Sequence, residues 1–348
     1  MRGRFILITL IIVLLSALAV GGCAKAPPTP APTPTKPLEI TLASSEPPPS
    51  VFVWGVTEPW AKEVEESTNG RVKFIHHNAG ALGPIDKHWN LAVTGVADVT
   101  FQQVIFTAGV FPLVEVGEIP GTGISSSAAI SRVMHEMYLE NEYFQKELEK
   151  AKVLFFSGGP PRILHTRNPV RTLEDIKGMK VGTIGHYNTR SMELLGASPV
   201  NMPVHDMYLS METGLIDGFV LINEGMLAFK LTEVSKYTIN INLSPFSSII
   251  AANWDFWNSL PADLQKIIEE VSYTWSEKSG TAVDKSNEEA VAVMKQAGVE
   301  FYDLPPEEQA RWYEQLKPMM AEWVATMDAK GIPGQAILDK VMELAKKY

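Results

Sequence analysis

The sequence predicts an α/β protein of two lobes facing each other across a cleft, with long helices at its C-terminal end. Three observations predict it. Strand and helix patterns alternate over residues 38–101, the alternation restarts near residue 160, and the last third carries helical periodicity almost throughout. In order, 38–43 alternates apolar and polar residues as a half-buried strand does. A helix is expected over 54–68, with Trp60, Val64 and Ser67 at helical spacing and Asn69-Gly70 as its stop. A strand over 71–75, a helix over 86–93 and a strand over 99–101 complete a β-α-β-α-β unit, which implies a parallel sheet.

The second unit starts with a strand at 153–156, ended by Gly158-Gly159-Pro160-Pro161. Thr172 then caps a short helix, and strands at 178–181, 198–202 and 217–221 alternate with helices at 188–195 and 205–213. Helices follow over 261–281, 284–297, 305–329 and 332–347. Open α/β sheets bind ligands at the carboxyl ends of their strands, so two facing lobes make a cleft.

The N-terminus points outside the cytoplasm. Arg2 and Arg4 precede an unbroken apolar run over 5–20, which ends in Gly21-Gly22-Cys23. A basic head, an apolar middle and small residues at the end make a secretory signal over 1–22. Cys23 is the one cysteine of the chain. A cysteine directly after Gly-Gly resembles a lipobox, in which the thiol is acylated and anchors the mature protein to a membrane. A cleaved ordinary signal and an uncleaved anchor are the alternatives, although the run is short for a bilayer span. Residues 23–37 are nearly all Pro, Thr and Ala, a composition that cannot fold and acts as a semi-rigid tether.

The formal charge is −10 for the chain, and near −12 once the two arginines of the leader are taken off. That balance excludes nucleic acid as the expected partner. With Cys23 acylated no disulfide forms, so packing alone holds the body together. The chain has no Gly-x-Ser-x-Gly, His-Glu-x-x-His or P-loop string. The expectation is no enzyme, no metal (His76-His77 being too little for a site) and no cofactor.

Seven strings carry a family resemblance. They include Thr68-Asn69-Gly70-Arg71-Val72, Gly80-Ala81-Leu82-Gly83, LEDIKGMKV (173–181), LGASPVNMPVHDMYLSMETGLIDG (195–218) and SLPADLQKIIEEV (259–271). In this order they resemble the DctP-type solute receptors of TRAP transporters. The resemblance implies a periplasmic-binding-protein-like fold joined by hinge strands. Lobe one would take 38–160 and 248–287, and lobe two 161–247 and 288–348. It implies capture of a small organic solute and delivery to a permease of a small and a large membrane subunit. An ABC-type or sensor-associated binding lipoprotein is the alternative, and an extracytoplasmic hydrolase a more distant one.

The resemblance also implies site residues. The family grips a carboxylate with an arginine two residues after the lysine of Lys-hydrophobic-Arg, where this chain has Gly182. A second family arginine falls on Arg162, and Arg190 is a further candidate to replace the missing one. Val204 stands where a pocket phenylalanine is common, and Leu221 where an asparagine is. Gln102, Gln103 and Ser45 are expected at the polar edge of lobe one, with Trp54 as a ligand-facing aromatic. His186 and Tyr187 open a helix whose N-terminus favours anions. With Gly182 and Leu221, the expected ligand is more apolar than a C4-dicarboxylate. Glu115 to Glu118 reads as a loop.

Overall fold

Alternation seats the first strand. In β1 (Leu38–Ser44), Ile40 and Leu42 are fully buried, and the strand runs parallel to β2 (Val72–His77) and to β3 (Val99–Gln103) on its two sides. The computed structural model describes residues 36–348. The leader, Cys23 and nearly all of the tether lie outside the described residues.

Between β1 and β2 the chain winds first as a π-helical stretch, Phe52–Thr57, and only then as α1 (Glu58–Ser67). The wider winding buries Phe52, Val53 and Val56 together, which moves the start of the α-helix past residue 54. Trp60 is fully buried and its indole N–H donates to Ser272 Oγ at 3.1 Å. Asn69 and Gly70 end the helix at φ 52° and 72°, a left-handed turn that these two residue types tolerate best. α2 (His88–Val93) leads into β3. After β3 come two 3-10 turns, Val104–Phe106 and Val114–Glu118, then α3 (Ser127–Glu140) and α4 (Glu142–Glu147). Glu118 is buried in the second turn, so 115–118 is not a plain solvent loop.

β4 (Lys152–Thr166) corrects the expected break. It passes straight through Gly158-Gly159-Pro160-Pro161, paired antiparallel with β8 (Tyr237–Ala252). Pairing holds to Gly159↔Phe246 and resumes, shifted, at Arg162↔Ser244. The two prolines fall in that shift, where a missing N–H costs the ladder nothing. Residues 172–176 form turns instead of a helix, because the Asp175 carboxylate accepts from the backbone N–H of both Arg171 and Thr172 at 2.9 Å. β5 (Lys180–Thr183), α5 (His186–Leu194), β6 (Ser198–Asn201), α6 (Met207–Glu212), β7 (Gly218–Leu221) and α7 (Asn223–Ala228) then follow the expected alternation.

After β8 and α8 (Trp254–Ser259), two expected helices merge into α9 (Ala262–Gln296), 35 residues long. Its buried stripe runs unbroken through Ser279, Gly280, Val283 and Ser286. β9 (Glu300–Tyr302) adds to β8. The helix expected over 305–329 divides into α10 (Pro306–Leu316) and α11 (Pro318–Asp328), since Pro318 cannot donate to the turn before it. α12 (Gly334–Ala345) ends the fold.

One mixed sheet results, in the order β2-β1-β3-β8-β4-β7-β5-β6. Each end is a parallel group, and the long antiparallel pair β4–β8 joins them. One face of the first group packs on Trp60, Val271 and Trp275, and the matching face of the second on Met207, Phe219 and Met294. α9 therefore supplies side chains to both lobe cores.

Candidate solute-binding site

The joint between the two halves holds a buried arginine. Arg162 lies on β4 just past the prolines and is 5% exposed. Its guanidinium sits over the ring of Phe246, 4.2 Å from the centroid. Gly159 permits this stacking: a Cβ there would lie 1.7 Å from Phe246 Cε1, so only glycine lets the ring lie against the strand. Nη1 of Arg162 is buried and has no hydrogen-bond partner.

Glu118 is the nearest acidic influence. Its backbone carbonyl accepts from Ser244 Oγ at 2.8 Å, which fixes the turn against β8. One carboxylate oxygen accepts from the Ser247 N–H at 3.4 Å. Burial pushes its pKa up to about 8, with Arg162 pulling the other way. Burial likewise pushes Arg162 down to about 10, opposed by Glu118. The two act on each other through space with no hydrogen bond between them. At neutral pH Arg162 is charged and Glu118 mostly protonated, so the pair carries net positive charge. A buried cation with a free donor is costly until an anion meets it.

The predicted residues of the first lobe do not all converge there. Gln102 is corrected. Its Oε1 accepts from the Trp89 N–H, and its Nε2 donates to the carbonyls of Ile85 and Gln103, so no atom is left for a ligand. Gln103 is buried at the end of β3, in register with Ser248, whose hydroxyl is buried without a partner. Ser45 is half-buried just past β1. Trp54 is 48% exposed, and its indole N–H donates to the Pro49 carbonyl, so it faces solvent.

In the second lobe, Gly182 is corrected as an opening for a bulky ligand. A Cβ there would meet Ile216 Cδ1 at 3.0 Å and Phe219 Cβ at 3.3 Å, so lobe core fills the space beside it. Leu221 and Val204 pack in that same apolar cluster. Arg190 is corrected as a replacement cation. Glu322 holds it through two nitrogens, at 2.6 and 3.1 Å, and Glu193 through a third at 3.1 Å. His186 and Tyr187 line a separate cavity of about 500 Å³ with Glu115, Arg190 and Glu322. Burial, with Glu115 and Glu118 nearby, raises the Tyr187 phenol well above its ordinary range. Just before it, a Cβ at Gly185 would lie 2.5 Å from Ile105 Cγ1, so the turn after β3 leaves no room for a side chain there.

Sequence reasoning missed Glu118 and Phe246. Glu118 had a signal: it is an acid set among apolar residues in Val116-Gly117-Glu118-Ile119.

The arrangement is a buried guanidinium on the long β4–β8 pair that joins the two parallel groups of the sheet, stacked on Phe246 and facing the field of Glu118. The family described as bacterial extracellular solute-binding protein, family 7 (DctP), matches residues 43–326. The chain belongs to this family. It is 29% identical over 173 residues to the C4-dicarboxylate-binding periplasmic protein DctP of Rhodobacter capsulatus, covering 49% of this chain and about half, 52%, of that protein. A TRAP periplasmic solute-binding protein from Desulfovibrio salexigens superposes with TM-score 0.83 at 27% identity, over 89% of this chain and 96% of that one. A marine metagenome TRAP solute-binding protein specific for aromatic acid ligands, in complex with 3-hydroxybenzoate, gives TM-score 0.83 at 25% identity, over 90% and 99%. Members of this family are solute-binding receptors. Among the described residues no helix is long and apolar enough to cross a membrane.

Proposed function

We propose that this solute-binding protein is the receptor of a TRAP-type transporter and captures a small organic acid with an apolar, aromatic or branched body. The observation that carries this reading is the buried, unpartnered Nη1 of Arg162 above the Phe246 ring. A carboxylate supplies the charge-assisted partner that the guanidinium lacks. The single anchoring arginine, with Gly182 where a second is common, favours one carboxylate over two. The aromatic-acid specificity of the marine relative supports the same class.

Binding proceeds without chemistry. The acid enters between the lobes (38–160 with 248–287, and 161–247 with 288–348), its carboxylate meets Arg162, and the shut form docks on the two permease subunits. Ligand drives closure only so far as it binds the shut state more tightly. Cys23, acylated after removal of residues 1–22, moors the receptor to the membrane, and the proline-rich tether holds the lobes clear of it.

A thermal-shift screen of the full body tests the ligand class. Benzoate and 3-hydroxybenzoate are expected to raise Tm, while succinate and malate do not. Stabilisation by succinate or malate alone defeats the reading. Mass spectrometry of the purified chain checks the diacylglyceryl group on Cys23.

A further inference from the structure

The segment after β1 is an exposed knob that solute capture leaves unused. Pro47, Pro48 and Pro49 are all exposed, and Trp54 is 48% exposed, an uncommon position for so large an aromatic ring. Hydrogen bonds within the segment fix its shape. The Ser50 N–H donates to the Pro47 carbonyl at 2.9 Å, the Trp54 backbone N–H to the Ser50 carbonyl at 3.2 Å, and the Trp54 indole N–H to the Pro49 carbonyl at 3.1 Å. With its polar edge satisfied inside the knob, the ring presents an apolar face. A large ring already held in place loses little freedom on contact, and tryptophan is among the residues that most often anchor protein interfaces.

The surroundings are acidic. No lysine or arginine occurs between residues 37 and 61. Glu58 stands exposed one helical turn from Trp54. Glu46 lies half-buried at the start of the knob, where its carboxylate accepts from Ser50 Oγ at 2.7 Å. A partner complementary to this surface is apolar at its centre and basic at its edge.

The knob is also connected to the solute anchor and to the other lobe. Phe52, two residues before Trp54, has its ring centroid 5.7 Å from that of Phe246, the ring under Arg162. Ile222, at the end of β7, packs into the same core as Val51 and Phe52. The Glu224 carboxylate of α7 accepts from the Val51 N–H. The position of Trp54 therefore depends on elements of both lobes.

We propose that residues 47–54, led by the Trp54 ring, dock the receptor on its membrane permease, the ring entering an apolar socket rimmed by lysine or arginine. This surface rests on the reading of the chain as a TRAP-type receptor and adds where the receptor meets its transporter.

The test is docking of the full receptor on nanodiscs holding its two permease subunits, with calorimetry of 3-hydroxybenzoate and thermal shift run on the same samples. Trp54→Ala is expected to weaken docking at least tenfold and Glu58→Lys several-fold, with Trp54→Phe the least affected. Tm and 3-hydroxybenzoate affinity are expected to stay at the wild-type level in all three. Unchanged docking in Trp54→Ala overturns the proposal. So does equal binding to empty nanodiscs, which would seat the ring in lipid, and so does a receptor dimer that Trp54→Ala dissolves, which would place a second copy on the knob. Loss of solute affinity in step with docking also overturns it, by moving Trp54 into capture. A wild-type receptor that does not dock at all defeats the transporter reading and this surface with it, a result distinct from a defect confined to the Trp54 variants.

Discussion

Arg162 and Arg190 stand in opposite circumstances. Arg190 lies on the accessible side of α5, half-wrapped by Glu322 and Glu193, and its pKa is raised by those hydrogen bonds. Arg162 is buried, its pKa is depressed by that burial, and one terminal nitrogen has no partner. A satisfied surface cation has nothing left to offer a ligand. A buried cation left unsatisfied is a cost to the folded protein, and an anion that met it would relieve that cost.

The sharpest way to break the comparison is to remove each arginine. Arg162→Ala is expected to weaken the binding of an aromatic acid by about 2–5 kcal/mol in calorimetry, the cost of truncating one partner of a buried charged pair. Unchanged affinity would return Arg162 to a purely structural role. Gly159→Ala is expected to come next. The added methyl collides with Phe246, and chemical denaturation should record a loss of about 1–3 kcal/mol, with affinity falling as the ring leaves the guanidinium.

pH sharpens the comparison further. Glu118 has a pKa raised to about 8 in the folded protein, so the stability its neutral form contributes is complete below about pH 4.5 and lost as pH rises through 8. Ligand affinity follows the same sign. Below about pH 8 the Arg162 charge is uncompensated and an anion binds fully, and above it the Glu118 carboxylate competes with the ligand. Affinity measured from pH 6 to 9 should be flat and then begin to fall, while Glu118→Gln should lack the step near pH 8. Glu115, whose field also raises Glu118, is itself pushed up by burial, so Glu115→Gln is the control that separates the two carboxyls. The smallest effect is expected from Arg190→Ala. Exposed ion pairs contribute about 0–1 kcal/mol, so Tm should drop slightly and ligand affinity should not change.

Much of the frame was legible in the sequence. Local signals decided it: alternation in β1, the Asn69-Gly70 stop, and glycines after α5 and α6. What escaped was decided at long range. β8 reads poorly as a strand because Ser244, Pro245, Ser247 and Ser248 interrupt its apolar run, and only its pairing with β3 and β4 makes it one. The break expected at Gly158–Pro161 turned out to be a bulge for the same reason. At the candidate site, Arg162 was expected from the family pattern, whereas the partners that occupy Gln102 come from residues 85, 89 and 103, which sequence spacing does not bring together. Glu118 was passed over because burial, the property that gives it a role, is invisible along the chain.

The interrupted pairing between Gly159 and Arg162 has a mechanical consequence. A pleated sheet resists folding across its strands because every rung must stretch, yet here the rungs are already absent and Pro160 and Pro161 could not have formed them. The sheet thus carries a crease in its middle. Arg162 lies inside this stretch, since the register shifts again between it and Leu164, so its backbone is pinned to β8 at one rung between two irregularities.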